Sequence, residues 1–345
     1  GGAVGAADAL TLLTKVRKLC SHPHLLDAGG GRGGRSIATG GGNSDDRSDV
    51  SLSGKLLVLS ALLAAVRSEA PTDKVVVVSN FTSALTVIED GLIKRKGWSS
   101  LRLDGTTDQN SRQPLVDSFN RGSAEQSFVF LLSSKAGGCG LNLIGANRLV
   151  MFDPDWNPAT DQQAMARVYR QGQTKPCYIY RMFTSGTVEE VVYQRQTQKS
   201  NLANLTVDCQ GTSSRSASGF TKEELRDCFT LKMGCACDTK NKVGRKWDDY
   251  GGVSSLEEWG CTDGPLLTIA EQNNTVLSFV RIAEEDQAVD AEAIHASGEV
   301  SEDEEDEMFE SSSGKKKLSL GRSSFRDDDS FGGGGSDCFT SEEEF

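Results

Sequence analysis

Arg167 and Arg170 stand three residues apart in the segment Gln162–Gln173, QQAMARVYRQGQ, and fall on one face of any helix that carries them. A guanidinium is planar, permanently charged and able to bridge two oxygens, so such a pair facing a crevice suits an anion of the triphosphate kind. The alternative is a pair of solvated surface arginines. A second segment with chemical potential is Leu132–Leu143, LSSKAGGCGLNL, where hydroxyls give way to glycines. Ser133, Ser134, Lys135 and Asn142, with exposed N–H groups beside them, form a concavity fitted to a phosphodiester backbone, without reading bases. A tight strand-to-helix turn would explain the glycines but not those four side chains together. Cys228, Cys235, Cys237 and Cys261 offer four thiolates to one Zn²⁺, a closed tetrahedral site that would stabilise a small appendage. Buried free thiols are the alternative, and neither reading gives these cysteines a catalytic role. No G-x-x-x-x-G-K-[ST] phosphate loop and no Asp-Glu-x-His box occurs in the 345 residues.

The elements that position these segments alternate. An apolar helix is expected over Lys55–Glu69, followed by a strand at Lys74–Ser79, KVVVVS, whose unbroken valines suit burial on both faces of a parallel sheet. A helix over Thr82–Lys96 with Gly97 as its stop, a strand at Leu101–Leu103, a helix near Arg112–Asn120 and a strand at Phe128–Leu132 continue the pattern. A strand at Arg148–Phe152 precedes a helix from Pro158 to Gln171, and a strand over Cys177–Phe183 leads to a last helix, Val188–Leu205. Regular β/α alternation implies an α/β fold with a doubly wound parallel sheet, whose ligands sit at the carboxyl ends of the strands. Leu10–Leu26 has helix-spaced apolar positions until Pro23 interrupts it.

Charge is unevenly spread. The chain has 49 acidic and 37 basic residues, of which residues 283–345 hold 20 and 5, leaving 29 acidic and 32 basic in residues 1–282. The expected folded part is therefore mildly basic, as a nucleic-acid partner requires, and the tail makes the sum acidic. That tail combines acidic, serine, lysine and glycine runs and is expected to be disordered. No apolar run is long enough to span a bilayer, so no membrane partner is expected. The nine cysteines are irregularly spread and do not suggest a secreted disulfide framework.

Gln163, Arg167, Arg170, Gly172 and Gln173 spell Q-x-x-x-R-x-x-R-x-G-Q, which resembles helicase motif six of superfamily-two ATPases in its Swi/Snf form. Leu132–Leu143 resembles motif five, Ser79-Asn80-Phe81-Thr82 resembles motif four, and Arg102–Thr107, RLDGTT, resembles the adjoining DGT element. Cys20-Ser21-His22-Pro23 stands where the family has its connector between lobes, which makes His22 and His24 structural. Agreement over GANRLVMFDPDWNPA and CYIYRMFTSGTVEE is similar to the Rad-fifty-four-type recombination translocases. Trp259–Asp263, WGCTD, matches the late part of that branch's cysteine pattern. Cys235-Ala-Cys237, however, is one residue too tight, and Cys228 replaces a His.

The resemblance implies a RecA-like second helicase lobe over residues 54–208, after an inter-lobe end and glycine-rich linker at 1–53. An appendage at 209–282 and the acidic tail at 283–345 complete the expected organisation. It implies that Arg167 and Arg170 act as arginine fingers, stabilising charge on a γ-phosphate bound as ATP with Mg²⁺ by a first lobe expected to precede Gly1. Gln163, Gln173, Gly138 and Gly140 are the implied nucleotide contacts. Ser79, Asn80, Asp104, Gly105, Ser133, Ser134, Lys135 and Asn142 are the implied DNA contacts. Double-stranded DNA, a RecA-type recombinase filament and, through the tail, histones are the implied partners, in the nucleus. The chain alone is expected not to hydrolyse ATP. A nucleosome-remodelling ATPase, or a non-catalytic interaction module built on a lone lobe, are the alternatives.

Overall fold

The computed structural model describes residues 6–29, 49–136, 140–197, 222–243 and 261–272. Residues 30–48 of the glycine-rich linker, Gly138, the end of the last expected helix at 198–205 and the acidic tail lie outside them.

Helix α1 (Ala6–Ser21) ends before Pro23 in a 3₁₀ turn (Pro23–Gly29), as the proline requires. A 3₁₀ turn at Val50–Leu52 then leads into α2 (Gly54–Glu69). The Ser53 hydroxyl accepts from Leu56 N at the start of α2 and donates to Ser21 O, joining helix cap to connector.

Strands β1 (Val75–Ser79), β2 (Ser100–Leu103), β3 (Val129–Ser133), β4 (Arg148–Met151) and β5 (Tyr178–Arg181) form one parallel sheet in the order β2-β3-β1-β4-β5. Val75 and Val77 face one apolar cluster with Leu59, Leu63 and Ile88, while Val76 and Val78 face another with Phe119, Phe130 and Leu149. Each such side chain contributes roughly 1.5–3 kcal/mol on burial, so a strand of four valines specifies the centre of the sheet. The expected α/β doubly wound parallel sheet is present.

The remaining helices are α3 (Thr82–Val87), α4 (Gln109–Arg121), α5 (Pro158–Met165), α6 (188–197), α7 (Lys222–Cys228), α8 (Asp238–Val243) and α9 (Gly264–Gln272). Two differ from expectation. First, α3 passes into a π-helical turn (Ile88–Ile93), in which Lys94 N reaches back five residues to Glu89 O at 2.9 Å, before Gly97 takes φ +67°. Second, α5 stops at Met165, six residues short of Gln171. The Arg167 carbonyl, which a continuing helix would give to residue 171, instead accepts from Leu143 N at 2.9 Å.

The segments beyond α6 pack on the lobe across the boundary expected at residue 208. The Glu190 carboxylate of α6 accepts from Asp238 N (3.1 Å) and Thr239 N (3.1 Å), the first turn of α8, and from Gly186 N (2.6 Å). Helix α9 lies against α2 and places Ile269 in the core. Beneath it, Arg148 binds Asp73 (2.8 Å) and Asp263 (2.7 Å), and Tyr180 donates to Asp263 at 2.6 Å.

Candidate nucleotide and DNA interface

Strand order turns about β1, which lies between β3 and β4, so the carboxyl ends of these three strands meet in one crevice. The segments that resemble helicase motifs arrive there or beside it. Ser79 and Ser133 are register partners at the ends of β1 and β3, both buried, and Ser134 N donates to Ser79 O at 3.1 Å.

A residue not expected to matter organises this edge. Asp153, 1% exposed after β4, accepts from the Ser79 hydroxyl, from Asn80 N at 2.9 Å and from Asn80 Nδ2 at 2.8 Å. Ser79 and Asn80 therefore serve first as a clamp between two strand ends. In the sequence, Asp153 is one acid in Asp-Pro-Asp-Trp, and only the adjacency of β1 and β4 shows what it holds. Arg17 of α1 reinforces the clamp. Its Nη2 donates to Pro154 O at 2.6 Å, and its guanidinium lies 5.2 Å from the Phe81 ring centroid and 5.6 Å from that of Trp156.

Asp104 is likewise committed. Its carboxylate accepts from Thr106 N (2.9 Å), Thr106 Oγ1 (2.6 Å) and Arg102 Nε (2.8 Å). The Thr106 hydroxyl first, with Arg102 adding to it, holds its pKa below the usual 3.8. An acid so engaged shapes the turn, and Gly105 and Thr106 are the residues left exposed at its tip.

The motif-five and motif-six segments are stitched together by three separate contacts. Leu143 N donates to Arg167 O at 2.9 Å, Arg170 Nη1 donates to Gly140 O at 3.2 Å, and Gln173 Nε2 donates to Ala146 O at 2.7 Å and Ile144 O at 3.3 Å. Arg167 and Arg170 thus lie on the turn after α5 rather than on its face, half-exposed, with Gln163 exposed on the helix itself. Gln173 spends its amide on the backbone of this junction, and its Oε1 accepts from Thr174 N and Lys175 N. Two side-chain atoms beside the junction, Ser134 Oγ and Asn142 Oδ1, are buried without a hydrogen-bond partner among the described residues. Lys135 is exposed next to them.

Cys228, Cys235 and Cys237 of the expected zinc site take different surroundings in the structure. Among the described residues no three His, Cys, Asp or Glu side chains converge as a metal would require. Cys228 is buried with Leu13, Val188 and Val192, Cys235 Sγ accepts from Asn241 Nδ2 at 3.2 Å, and Cys237 Sγ donates to the Glu190 carboxylate at 3.3 Å. Burial, with the Glu190 charge adding to it, pushes the Cys237 thiol up to about 11, and burial raises Cys261 as well.

Residues 54–172 match the model of the helicase conserved C-terminal domain. The DNA repair and recombination protein RAD54-like of Drosophila yakuba is 46% identical over 241 residues, covering 68% of this chain and 30% of that protein. Its Mus musculus counterpart is 42% identical over 299 residues, covering 80% and 39%. The chain therefore spans about a third of the length of these curated relatives. Among solved structures, the Sulfolobus solfataricus SWI2/SNF2 ATPase core in complex with dsDNA superposes with TM-score 0.50 at 25% identity, over 67% of this chain and 44% of that one. Motif order, sheet topology and these likenesses agree that the chain belongs to the Swi/Snf-type superfamily-two ATPases, as a RecA-like C-terminal helicase lobe of the RAD54-like branch.

Proposed function

We propose that the chain is the second motor lobe of an ATP-dependent double-stranded DNA translocase acting in homologous recombination and DNA repair in the nucleus. The observation that carries this reading is the stitched junction, which makes the arginine turn and the phosphate-facing loop one mechanical unit. Leu143 to Arg167, Arg170 to Gly140 and Gln173 to Ala146 all cross it. A displacement of the loop on a DNA backbone moves Arg167 and Arg170 with it.

In this reading ATP supplies the phosphoryl transfer that drives closure, and it is presented by a first lobe bearing the phosphate loop. Arg167 and Arg170 contribute two fixed positive charges toward its γ-phosphate, the role of an arginine finger. Mg²⁺ is assigned to the first lobe together with the phosphates it neutralises. The Ser134 hydroxyl keeps a donor in reserve for the acceptor oxygens of a DNA backbone, and Lys135 adds a charge. Duplex rather than single-stranded DNA, and a recombinase filament as partner, rest on the RAD54-like likeness and on the dsDNA held by the solved relative.

The test joins this chain to the first lobe of a RAD54-like relative. The chimaera should hydrolyse ATP in response to duplex DNA. Arg170→Ala should lower turnover by about 10³-fold, the scale of an arginine finger, and leave DNA binding in place. Retained turnover in that variant contradicts the assignment. Stronger stimulation by nucleosomes than by naked duplex would favour a remodelling ATPase instead.

A further inference from the structure

A π turn strains the helix, and it persists where it delivers a side chain that an α-helix would misplace. Here that side chain is Glu89, whose carboxylate accepts from Arg102 Nη1 at 2.9 Å. Arg102 is otherwise the residue a reader would assign to DNA, being a cation beside the exposed Gly105-Thr106 tip.

Four of its five N–H donors are already spent. Nε donates to Asp104 Oδ2 at 2.8 Å, Nη1 also donates to Thr86 Oγ1 at 3.0 Å, and Nη2 donates to Thr82 O at 3.3 Å. Two carboxylates flank it, and both the Glu89 and Asp104 bonds hold its proton more tightly against the cost of burial. The guanidinium therefore bridges the helix that leaves β1 and the turn that leaves β2, passing through Asp104 to Thr106.

We infer that Arg102, held by Glu89 of the π turn, is a positioning residue that fixes the spacing between the two phosphate-facing elements, Asn80–Thr82 and Gly105–Thr106, and is not itself a phosphate contact. This rests on the DNA-backbone reading above. It separates Arg102 from the other basic residues of the edge: its charge is neutralised within the protein, so it releases no counterions from DNA.

Duplex binding by the 345-residue chain, measured by fluorescence anisotropy over a salt series with melting curves of each variant, tests it. Arg102→Lys keeps the charge but cannot span four acceptors. It should weaken binding by roughly 5- to 10-fold, the scale of lost polar contacts, with the slope of affinity against salt unchanged. Glu89→Gln removes a negative charge near the edge, so simple electrostatics would tighten binding, whereas loss of the bridge should loosen it.

Wild-type affinity in Arg102→Lys, together with a slope shallower by about one in Arg102→Gln, would make Arg102 a direct contact and overturn the inference. Tighter binding by Glu89→Gln, or lowered melting with unaltered affinity in folded Arg102→Lys, would overturn it too. A wild-type chain with no affinity for duplex would remove the DNA reading itself, and the positioning role with it.

Discussion

The two ends of the sheet are built on opposite principles. At the amino ends of the strands, Asp73, Arg148, Tyr180, Lys175 and Asp263 satisfy one another in a buried network, and Lys74 caps α4 through Phe119 O and Gly122 O. At the carboxyl ends, a clamp centred on Asp153 leaves Ser134 Oγ and Asn142 Oδ1 buried and unsatisfied, with Lys135 and Gly105 exposed. Among the described residues, buried polar atoms without a partner occur at both ends, with Ser127 Oγ and Asn147 Oδ1 at the amino end, so the distinction rests on the closed ion-pair network at one end and the exposed Lys135 and Gly105 at the other. The amino end is thus the structural end and the carboxyl end the working one.

The largest blow to this contrast falls at the amino end. Asp263→Ala leaves the Arg148 side chain, 4% exposed, short of one of its two carboxylates. The expected loss is about 3–5 kcal/mol, the cost of breaking a buried pair by removing one partner. Urea unfolding checks it, and a shift below about 1 kcal/mol would show that residues 261–272 are not integral to the lobe.

Gly186→Ala tests the other C-terminal attachment. Gly186 has φ +67°, and an added Cβ would meet Lys232 O at 2.3 Å. Strain of about 1–3 kcal/mol is expected, relieved by release of the segment around α8, which limited proteolysis within residues 228–243 would detect.

Acid should attack the amino end as well. Burial raises the Asp73 pKa, but hydrogen bonds from Asn147, Lys175 and Arg148 outweigh it and hold it below 3.8. A carboxylate depressed on folding contributes stability that is complete above its unfolded pKa and lost as pH falls through the folded one. Melting temperature should therefore fall as pH drops below about 4, and Asp73→Asn should flatten that part of the profile.

The smallest stability effect belongs to the working end. Ser134→Ala deletes an unsatisfied hydroxyl and should change stability by no more than about 0.5 kcal/mol while weakening duplex binding. A large destabilisation would mean that the hydroxyl is structural and the contrast between the two ends false.

Much of this was legible in the chain. The run Val75–Val78 announces a strand buried on both faces, and Gly97 and Pro23 mark helix ends where they occur. What the sequence hid was set by partners distant along the chain. Helix α5 stops early because Leu143 N claims the Arg167 carbonyl. Asp153 and Arg102 gain their roles only once β1 lies beside β4 and the start of α3 comes within reach of the Arg102 side chain on β2. The cysteines pointed to a metal by number, whereas the packing of Cys228 against Leu13 and the bond from Cys237 to Glu190 were not legible. The Gly1–Ile282 excess of base over acid, 32 to 29, indicated the kind of partner but not the edge that meets it.

The most direct test of the working end is a duplex titration of the whole chain between about 50 and 200 mM salt, beside Lys135→Ala. The account expects saturable binding that weakens as salt rises, and a variant whose salt slope is shallower by about one. Absence of binding, or a Lys135→Ala titration that overlays the wild type at every salt concentration, would contradict it.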